Sequence, residues 1–277
     1  VLFRSFHTPI KLLETADNWR NVVKILLANL LPFVFGGLIV AHILAFNAER
    51  AHRLYCFDLL GAGLACLIFV PLVSSLGAPS ALLVAAAAGV ASGAVLANRP
   101  TMRALGALAA LALAGAGYLN VTRGFFDLRF AKGHENAPTL VTRWNAFSRV
   151  EVIGTPGDMN RARPPVSWGF SSTLQTLARE LHLLYDADAM TQIPAFDGTL
   201  ATVRYLLSDV TTAAHHLRLN PRVLVIGAGG GRDVLSALAA GSQRVAGVEI
   251  NGVTVGLMRD RFRVYTGLRL DGSVRKS

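Results

Sequence analysis

Charged side chains are scarce in this sequence, and the scarcity is local. The chain of 277 residues is 52% hydrophobic and only 16% charged, whereas an ordinary soluble domain is about 25% charged. Residues 1–122 contain 8 Lys/Arg and 4 Asp/Glu, and residues 123–277 contain 19 and 13. We therefore expect two domains, an apolar region over 1–122 and a domain of ordinary polarity over 123–277.

Cysteine is scarce as well, and runs of basic residues are absent. The two cysteines, Cys56 and Cys66, lie in an apolar stretch, so the sequence offers neither a disulfide framework nor a cysteine metal site. His215 and His216 are adjacent near the end of a predicted helix, which favours charge at a helix C-terminus over metal binding. The net charge of +10 is dispersed, so we expect no metal and no nucleic-acid partner.

Long uncharged runs predict four membrane-spanning helices. No charged residue occurs from Leu59 to Asn98, a run long enough for two spans of about 20 residues each. Gly77 and Pro79 supply the turn between these two spans. The other uncharged runs cover Ile25 to Ala48 and Ala104 to Thr122. The predicted spans lie near residues 25–46, 57–75, 79–97 and 104–121.

The distribution of basic residues predicts how these spans are oriented. Four spans place both termini on one side, and that side carries more Lys/Arg than the opposite loops. The first group is Arg4, Lys11, Arg20, Lys24, Arg123, Arg129 and Lys132, and the second is Arg50, Arg53, Arg99 and Arg103. We therefore expect a multi-pass protein of the plasma (inner) membrane with a cytoplasmic C-terminal domain.

The first part of the polar domain shows weaker secondary-structure patterns. Residues 140–154 alternate as a strand does, and residues 186–198 predict a short hairpin that ends in a turn. The leucine spacing within residues 171–185 predicts a helix, opened by a serine cap. Apolar residues at helical spacing predict a second helix over 199–217.

The clearest motif is a glycine-rich turn between two apolar runs. RVLVIG, residues 222–227, is typical of a buried parallel strand. The turn and a helix follow it, and RVAGVEI forms a second strand. This order of strand, turn, helix and strand is that of an α/β nucleotide-binding domain.

The residues of this turn predict a nucleoside or nucleotide ligand. Gly227, Gly229 and Gly231 permit a tight turn and a close approach of the ligand to the N–H groups of the helix N-terminus. Glu249 ends the second strand, where its carboxylate can accept two hydrogen bonds from ribose hydroxyls. The dinucleotide pattern G-x-G-x-x-G would need glycine at residue 232, which is Arg. The spacing G-x-G-x-G followed by Asp233 therefore disfavours NAD.

The segment VLVIGAGGGRDVLSALAAGSQRVAGVEIN resembles the nucleoside-binding core of class I S-adenosylmethionine methyltransferases and polyamine aminopropyltransferases. Together with RLYCFDLLGAGLACLIFVPLVSSLGAPSALL, TRWNAFSRVEV and FDGTLATVRYLLSD, it is similar to membrane-bound spermidine synthase-like proteins. The likeness extends from about residue 20 to residue 265. It implies a multi-pass helical membrane region followed by a Rossmann-like domain with a small N-terminal β-hairpin region and an incomplete sheet.

The resemblance also implies roles for individual residues. Gly227, Gly229 and Gly231, with Asp233, would face the amino-acid end of S-adenosylmethionine or its decarboxylated form, and Glu249 would hold the ribose. The family's L-D-G-x-x-Q strand falls on Asp188 to Gln192, so Gln192 would contact the same co-substrate. Asp197 would be the retained member of an acidic pair and would bind the amine substrate together with Asp188.

The sequence departs from the family pattern at several positions. Ala201-Thr202-Val203 stands where the family has a Tyr-His-Glu run, and Ser148 stands where it has a glutamine. The catalytic Asp of the family would lie beyond Ser277, so the catalytic residue is unknown and we expect this chain to be weakly active or inactive.

Three classes of function remain open. The first is a membrane-anchored aminopropyltransferase-like enzyme that acts on a small-molecule amine, with membrane lipid around its spans. The second is an S-adenosylmethionine-dependent methyltransferase with an unknown acceptor. The third is a non-catalytic nucleoside-binding membrane protein, or a transporter with a regulatory domain, although the spans lack the charged residues typical of a transport path. Homo-oligomer formation is open in each case.

Overall fold

The computed structural model describes residues 16–128, 130–131, 134–135, 137–171, 173–218 and 220–267. The chain divides into two compact units between Asn136 and Ala137, some way beyond the predicted boundary at 122–123. Arg4, Lys11, Arg129 and Lys132, which contributed to the predicted orientation, lie outside the described residues.

Long apolar helices fill most of the first unit. Helix α1 spans Ala16–Phe46, α2 spans Ala51–Leu76, α3 spans Ala78–Leu96 and α4 spans Pro100–Arg123. All four are long and apolar enough to cross a membrane, because about 20 residues of helix span the hydrocarbon core. Each helix overlaps one predicted segment, but α1 and α2 begin earlier than predicted.

Helices α3 and α4 pack closely on each other. A Cβ placed on Gly106 would lie 2.6 Å from the Cβ of Ala94, so the glycine is what allows this approach. Nearer the other end of the pair, the buried Asn120 side chain donates its Nδ2 hydrogen to Ser80 Oγ at 2.9 Å. Small residues and interhelical hydrogen bonds of this kind are typical of helix packing in lipid.

An antiparallel sheet opens the second unit. It is preceded by a short antiparallel pair at the end of the first unit, β1 (Phe130–Ala131) and β2 (His134–Glu135). The sheet itself consists of β3 (Thr139–Trp144), β4 (Arg149–Ile153), β5 (Glu180–Tyr185) and β6 (Ala189–Pro194), in the order β3-β4-β5-β6. Each neighbouring pair in it is antiparallel.

The helix predicted for residues 171–185 is wrong. Residues 180–185 form β5, and among the described residues of 171–179 the only β pairing is an isolated bridge of Ala178 with Arg163. The predicted helix would place Leu177 on its apolar face, but this side chain is 67% exposed. Leu181 and Leu183 are buried instead, and this spacing of two residues is that of a strand.

Other predictions for this region are right only in part. Residues 140–154 form two strands, β3 and β4, rather than one. Residues 186–198 contain only the turn and the second strand, β6, of a hairpin whose first strand, β5, precedes the predicted range. In place of the second predicted helix, 3₁₀ turns cover Leu200–Ser208 and Val210–Thr212, and a single turn, α5, covers Ala213–His216.

The glycine-rich segment adopts the predicted order of elements, but its first strand is not buried as predicted, because Leu224 and Ile226 are 61% and 83% exposed. Strand β7 (Arg222–Ile226) pairs in parallel with β8 (Arg244–Val248), and α6 (Arg232–Ala239) connects them. Short helices α7 (Gly252–Gly256) and α8 (Arg263–Thr266) follow, separated by a π-helical turn over Leu257–Arg261. The described residues contain this one parallel unit beside the antiparallel sheet, so a Rossmann-like domain remains a prediction.

Two apolar clusters hold the second unit together. In the first, one face of β4, β5 and β6 packs on the segment after α7, through Val150, Val152, Leu181, Leu183, Ile193, Leu257, Met258 and Phe262. In the second, α6 packs on the 3₁₀ turn over Leu200–Ser208 and on the segment after β6, through Leu235, Val203, Leu206 and Phe196. The clusters thereby position both β6 and α6 beside the glycine turn.

Candidate functional site

The glycine turn between β7 and α6 needs glycine for its backbone conformation. Gly227, Gly229 and Gly231 have φ angles of +77°, +50° and +87°, a region that side chains with a Cβ rarely adopt. Gly231 is the N-cap residue of α6. Among the described residues no atom lies within 4 Å of a Cβ placed on Gly227, so that side of the turn is open.

A fourth glycine, which the sequence analysis did not single out, brings the turn against β6. A Cβ on Gly230 would lie 2.1 Å from the backbone oxygen of Gln192, and a Cβ on Gly229 would lie 3.0 Å from Thr191 Cγ2. The turn therefore packs directly on β6, and the structure brings Gln192 to it. The run of three glycines, residues 229–231, is visible in the sequence, but the sequence does not show that β6 is the strand it packs against.

The Glu249 carboxylate lies on the glycine turn. Glu249 directly follows β8, and its Oε2 accepts a hydrogen bond from the Gly229 N–H at 2.9 Å. Its Oε1 accepts a hydrogen bond from the Asn251 N–H at 2.7 Å. The two groups meet because the carboxyl ends of parallel neighbouring strands lie at the same edge of a sheet.

Asn251 joins this site to the turn between β3 and β4. Its Oδ1 accepts hydrogen bonds from Asn145 Nδ2 at 2.6 Å and from the Val253 N–H at 3.1 Å. Its own Nδ2 donates to Ser148 Oγ at 3.1 Å. Ser148, where the resemblance expects a glutamine, thus bonds the same residue that donates its N–H to Glu249. Neither asparagine was identified from the sequence, because their pairing joins residues more than a hundred positions apart.

Tyr185 lies near Glu249 as well, at the end of β5. Its hydroxyl group is 2.9 Å from Thr254 Oγ1. Burial raises the pKa of Tyr185, and the charge of Glu249 adds to this effect, whereas the hydrogen bond with Thr254 opposes it. The phenol therefore stays protonated beside the carboxylate at neutral pH.

Gln192 is buried and already bonded within the protein. Its Nε2 donates a hydrogen bond to the backbone oxygen of Val166. His182 is its register partner on β5. The Gln192 side chain and the Thr191 side chain, which contacts Gly229, lie on opposite faces of β6 because successive residues alternate along a strand. The turn therefore meets Gln192 through its backbone.

The structure does not bring the two predicted amine-binding acids together. Asp188 directly precedes β6 and Asp197 follows its end, so the six-residue strand, roughly 20 Å long, separates them. Both residues are exposed. Asp197 Oδ1 accepts a hydrogen bond from the Thr199 N–H at 2.9 Å, and this bond holds the pKa of Asp197 below its usual value.

A buried ion pair, also not foreseen, anchors the start of α6. The Arg232 guanidinium pairs with the Asp209 carboxylate, and their side chains are 9% and 0% exposed. Asp209 Oδ1 also accepts hydrogen bonds from the N–H and Oγ1 of Thr211, at 2.9 and 2.7 Å. Burial acts to raise the pKa of Asp209, but its hydrogen bonds and the charge of Arg232 outweigh burial and lower it.

The pairing of Arg232 determines the charge around the glycine turn. Asp209 neutralises the guanidinium, whose Nη1 is also 3.1 Å from Asp233 Oδ1. The Asp233 side chain is 55% exposed, and Glu249 is half-buried. The accessible charges beside the turn are therefore mainly negative.

Within the part of the chain that the structure describes, no group of three or more His, Cys, Asp or Glu residues is arranged to hold a metal ion. No protein-family model, curated protein or solved structure matches this chain.

Proposed function

We propose that the second unit binds a nucleoside with a sulfonium group, S-adenosylmethionine or its decarboxylated form, at the glycine turn. The observation that carries this proposal is the Glu249 carboxylate bonded to the Gly229 N–H, 2.9 Å away, at the carboxyl ends of β7 and β8. A carboxylate in this position can exchange a backbone partner for the two hydroxyls of a ribose.

Charge distinguishes a sulfonium nucleoside from a nucleotide phosphate at this turn. A glycine-rich turn before a helix commonly binds phosphate through free N–H groups. Here Glu249 occupies the N–H of Gly229, and Asp209 neutralises Arg232, the nearest guanidinium on α6. A pyrophosphate would meet Glu249 and Asp233, whereas a sulfonium cation would be attracted by them. This balance favours the sulfonium nucleoside over NAD.

The transfer proposed for this site moves a carbon group from sulfur to an amine. The amine lone pair forms a bond to the carbon next to the sulfonium, the C–S bond breaks, and its electron pair leaves on a neutral thioether. The amine then loses a proton to a base. Such a reaction mainly needs orientation and a base, because the leaving group is already positively charged. We assign ligand binding to the described residues and leave the base unassigned.

The resemblance to membrane-bound spermidine synthase-like proteins supports a small amine as the acceptor. The protein would then be a membrane-anchored aminopropyltransferase-like enzyme. Its four apolar helices would cross the plasma membrane four times and leave the second unit in the cytoplasm. The excess of basic residues on the side of the termini supports this orientation.

Calorimetric titration of the detergent-purified chain tests the proposed ligand. S-adenosylmethionine, its decarboxylated form and NAD are titrated separately into the wild type, Glu249→Ala and Asp260→Ala. We expect the decarboxylated nucleoside to bind most tightly. Glu249→Ala should weaken binding about tenfold or more, since a hydrogen bond to a charged group contributes about 1.5–3 kcal/mol. Asp260→Ala removes an equal, exposed charge on the turn after α7 and should have little effect.

Each other outcome has a definite meaning. Tighter binding of S-adenosylmethionine than of its decarboxylated form would favour a methyltransferase. Preferential binding of NAD, or no binding of any of the three by a folded chain, would refute the proposal.

A further inference from the structure

The turn between β3 and β4 is held in a fixed conformation. The Asn145 N–H donates to the Ser148 backbone oxygen at 3.1 Å. Asn145 Oδ1 accepts hydrogen bonds from the N–H groups of Phe147 and Ser148, at 2.9 and 2.8 Å. At the base of the turn, the Arg149 guanidinium lies 5.9 Å from the centre of the Trp144 ring, close enough for a cation–π interaction.

This turn is also fixed in position relative to Glu249. Asn251 bonds both ends of the turn, through Asn145 and Ser148, and donates its own N–H to Glu249 Oε1. One residue therefore links the proposed ribose-binding carboxylate to the turn through three hydrogen bonds of 2.6 to 3.1 Å.

Two large apolar side chains are exposed on either side of this link. Phe147, between the two bonded residues of the turn, is 71% exposed, and Ile250, between Glu249 and Asn251, is 85% exposed. A single exposed apolar residue needs no explanation. Here both residues are adjacent in sequence to the bonded network, and one of them presents an aromatic ring on a rigid turn.

We propose that Phe147 stacks on the base of the nucleoside whose ribose is held by Glu249. This inference rests on the proposed function and extends it to a residue that recognises the base. The base is joined directly to the ribose, so a nucleoside bound at Glu249 would place its base beside the residues that follow Glu249. Asn251, one of these residues, bonds the turn that carries Phe147. An aromatic face against a base contributes an attraction that removal of the ring abolishes.

The test measures binding of S-adenosylmethionine and of adenosine to the full-length chain in detergent. The variants are Phe147→Ala, Phe147→Tyr and the control Leu217→Ala, which removes another exposed apolar side chain, after α5. Phe147→Ala should weaken both ligands about tenfold, within the range of roughly 5- to 150-fold expected for loss of one base-stacking ring. Phe147→Tyr keeps an aromatic ring and should bind both ligands about as well as the wild type. Leu217→Ala should leave binding unchanged.

Saturation-transfer NMR supplies a readout that a merely structural role would not change. With wild-type protein, the adenine H2 and H8 protons should receive strong saturation, and Phe147→Ala should reduce it for these protons more than for the ribose protons. Unchanged affinity in Phe147→Ala would overturn the stacking inference and leave the proposed function standing. If a folded wild-type chain binds neither S-adenosylmethionine nor its decarboxylated form, the proposed function fails, and this inference fails with it.

Discussion

The ion pair between Arg232 and Asp209 holds the start of α6 against the 3₁₀ turns before it. Both side chains are almost completely buried, and removal of one partner from such a pair leaves an uncompensated charge. We predict that Arg232→Ala lowers the free energy of unfolding by about 3–5 kcal/mol. The measurement is the thermal unfolding midpoint in detergent, with near-ultraviolet circular dichroism as the probe.

A matched arginine in the same unit provides the control. Arg163 pairs with Asp158, but its side chain is 57% exposed, so Arg163→Ala should cost about 1 kcal/mol or less. Equal losses in the two variants would mean that the pair with Asp209 does not hold α6. A double variant, Arg232→Met with Asp209→Leu, should recover much of the loss, because apolar residues can replace a buried ion pair.

Glu180 makes the stability of the second unit depend on pH. Burial raises the pKa of Glu180 above its reference value of 4.5, although the hydrogen bond from the Tyr205 hydroxyl opposes this. Between 4.5 and the raised pKa, the folded protein binds the proton more tightly than the unfolded chain. The contribution of Glu180 to stability therefore falls as the pH rises through this window.

Replacement of Glu180 by Gln isolates this effect. Glu180→Gln keeps an oxygen acceptor for Tyr205 and removes the buried charge, so its unfolding midpoint should exceed that of the wild type increasingly as the pH rises above 4.5. Asp197→Asn should show the opposite sign. The pKa of Asp197 is lowered, so its stabilising effect is present above about 3.8 and is lost as the pH falls through the lowered value. A constant difference between Glu180→Gln and wild type across the window would contradict the prediction.

At the level of secondary-structure elements, helix α4 approaches helix α3 most tightly at Gly106, where a Cβ would lie 2.6 Å from that of Ala94. Gly106 has no room for a Cβ beside Ala94, whereas no described atom lies within 4 Å of a Cβ on Gly115, further along α4. We predict that Gly106→Ile separates the two helices and costs about 1–3 kcal/mol, as overpacking usually does. Gly115→Ile changes the same residue type on the same helix and should have little effect on the unfolding midpoint in detergent. Equal midpoints for the two variants would exclude close packing at Gly106.

The elements that the sequence predicts well are those with one dominant physical signal. Uncharged runs located α1 to α4, because length and hydrophobicity alone decide whether a helix can span a membrane. The error at residues 171–185 arose where two periods fitted the same leucines. Leu181 and Leu183 follow the period of a strand. Pairing of this segment with β4 and β6 favours the strand over the helix, and this pairing is not visible in the local sequence pattern.

The candidate site was predictable to a similar degree. The meeting of Glu249 with the glycine turn followed from the order of strand, turn, helix and strand, because parallel strands align their carboxyl ends. The contacts of Asn251 with Asn145 and of Arg232 with Asp209 join residues distant in the chain, and neither residue type has a local signature there. The contact of Gly230 with Gln192 was unpredictable for the same reason.

At the scale of the whole molecule, the orientation of the chain in the membrane decides whether the proposed chemistry is possible. The four apolar helices together with the excess of basic residues beside the termini predict that the second unit faces the cytoplasm. A small-molecule nucleoside made in the cytoplasm would reach the glycine turn only in that orientation.

Fusions to the C-terminus test this orientation in a bacterial inner membrane. Green fluorescent protein should fluoresce when fused after Ser277, and alkaline phosphatase at the same position should stay inactive, because it folds only outside the cytoplasm, where its disulfides form. Replacement of Arg50, Arg53, Arg99 and Arg103 by Gln removes the positive charge of the opposite loops and should strengthen this pattern. Active phosphatase with a dark fluorescent fusion would place the glycine turn outside the cytoplasm and would argue against a cytoplasmic sulfonium nucleoside as its ligand.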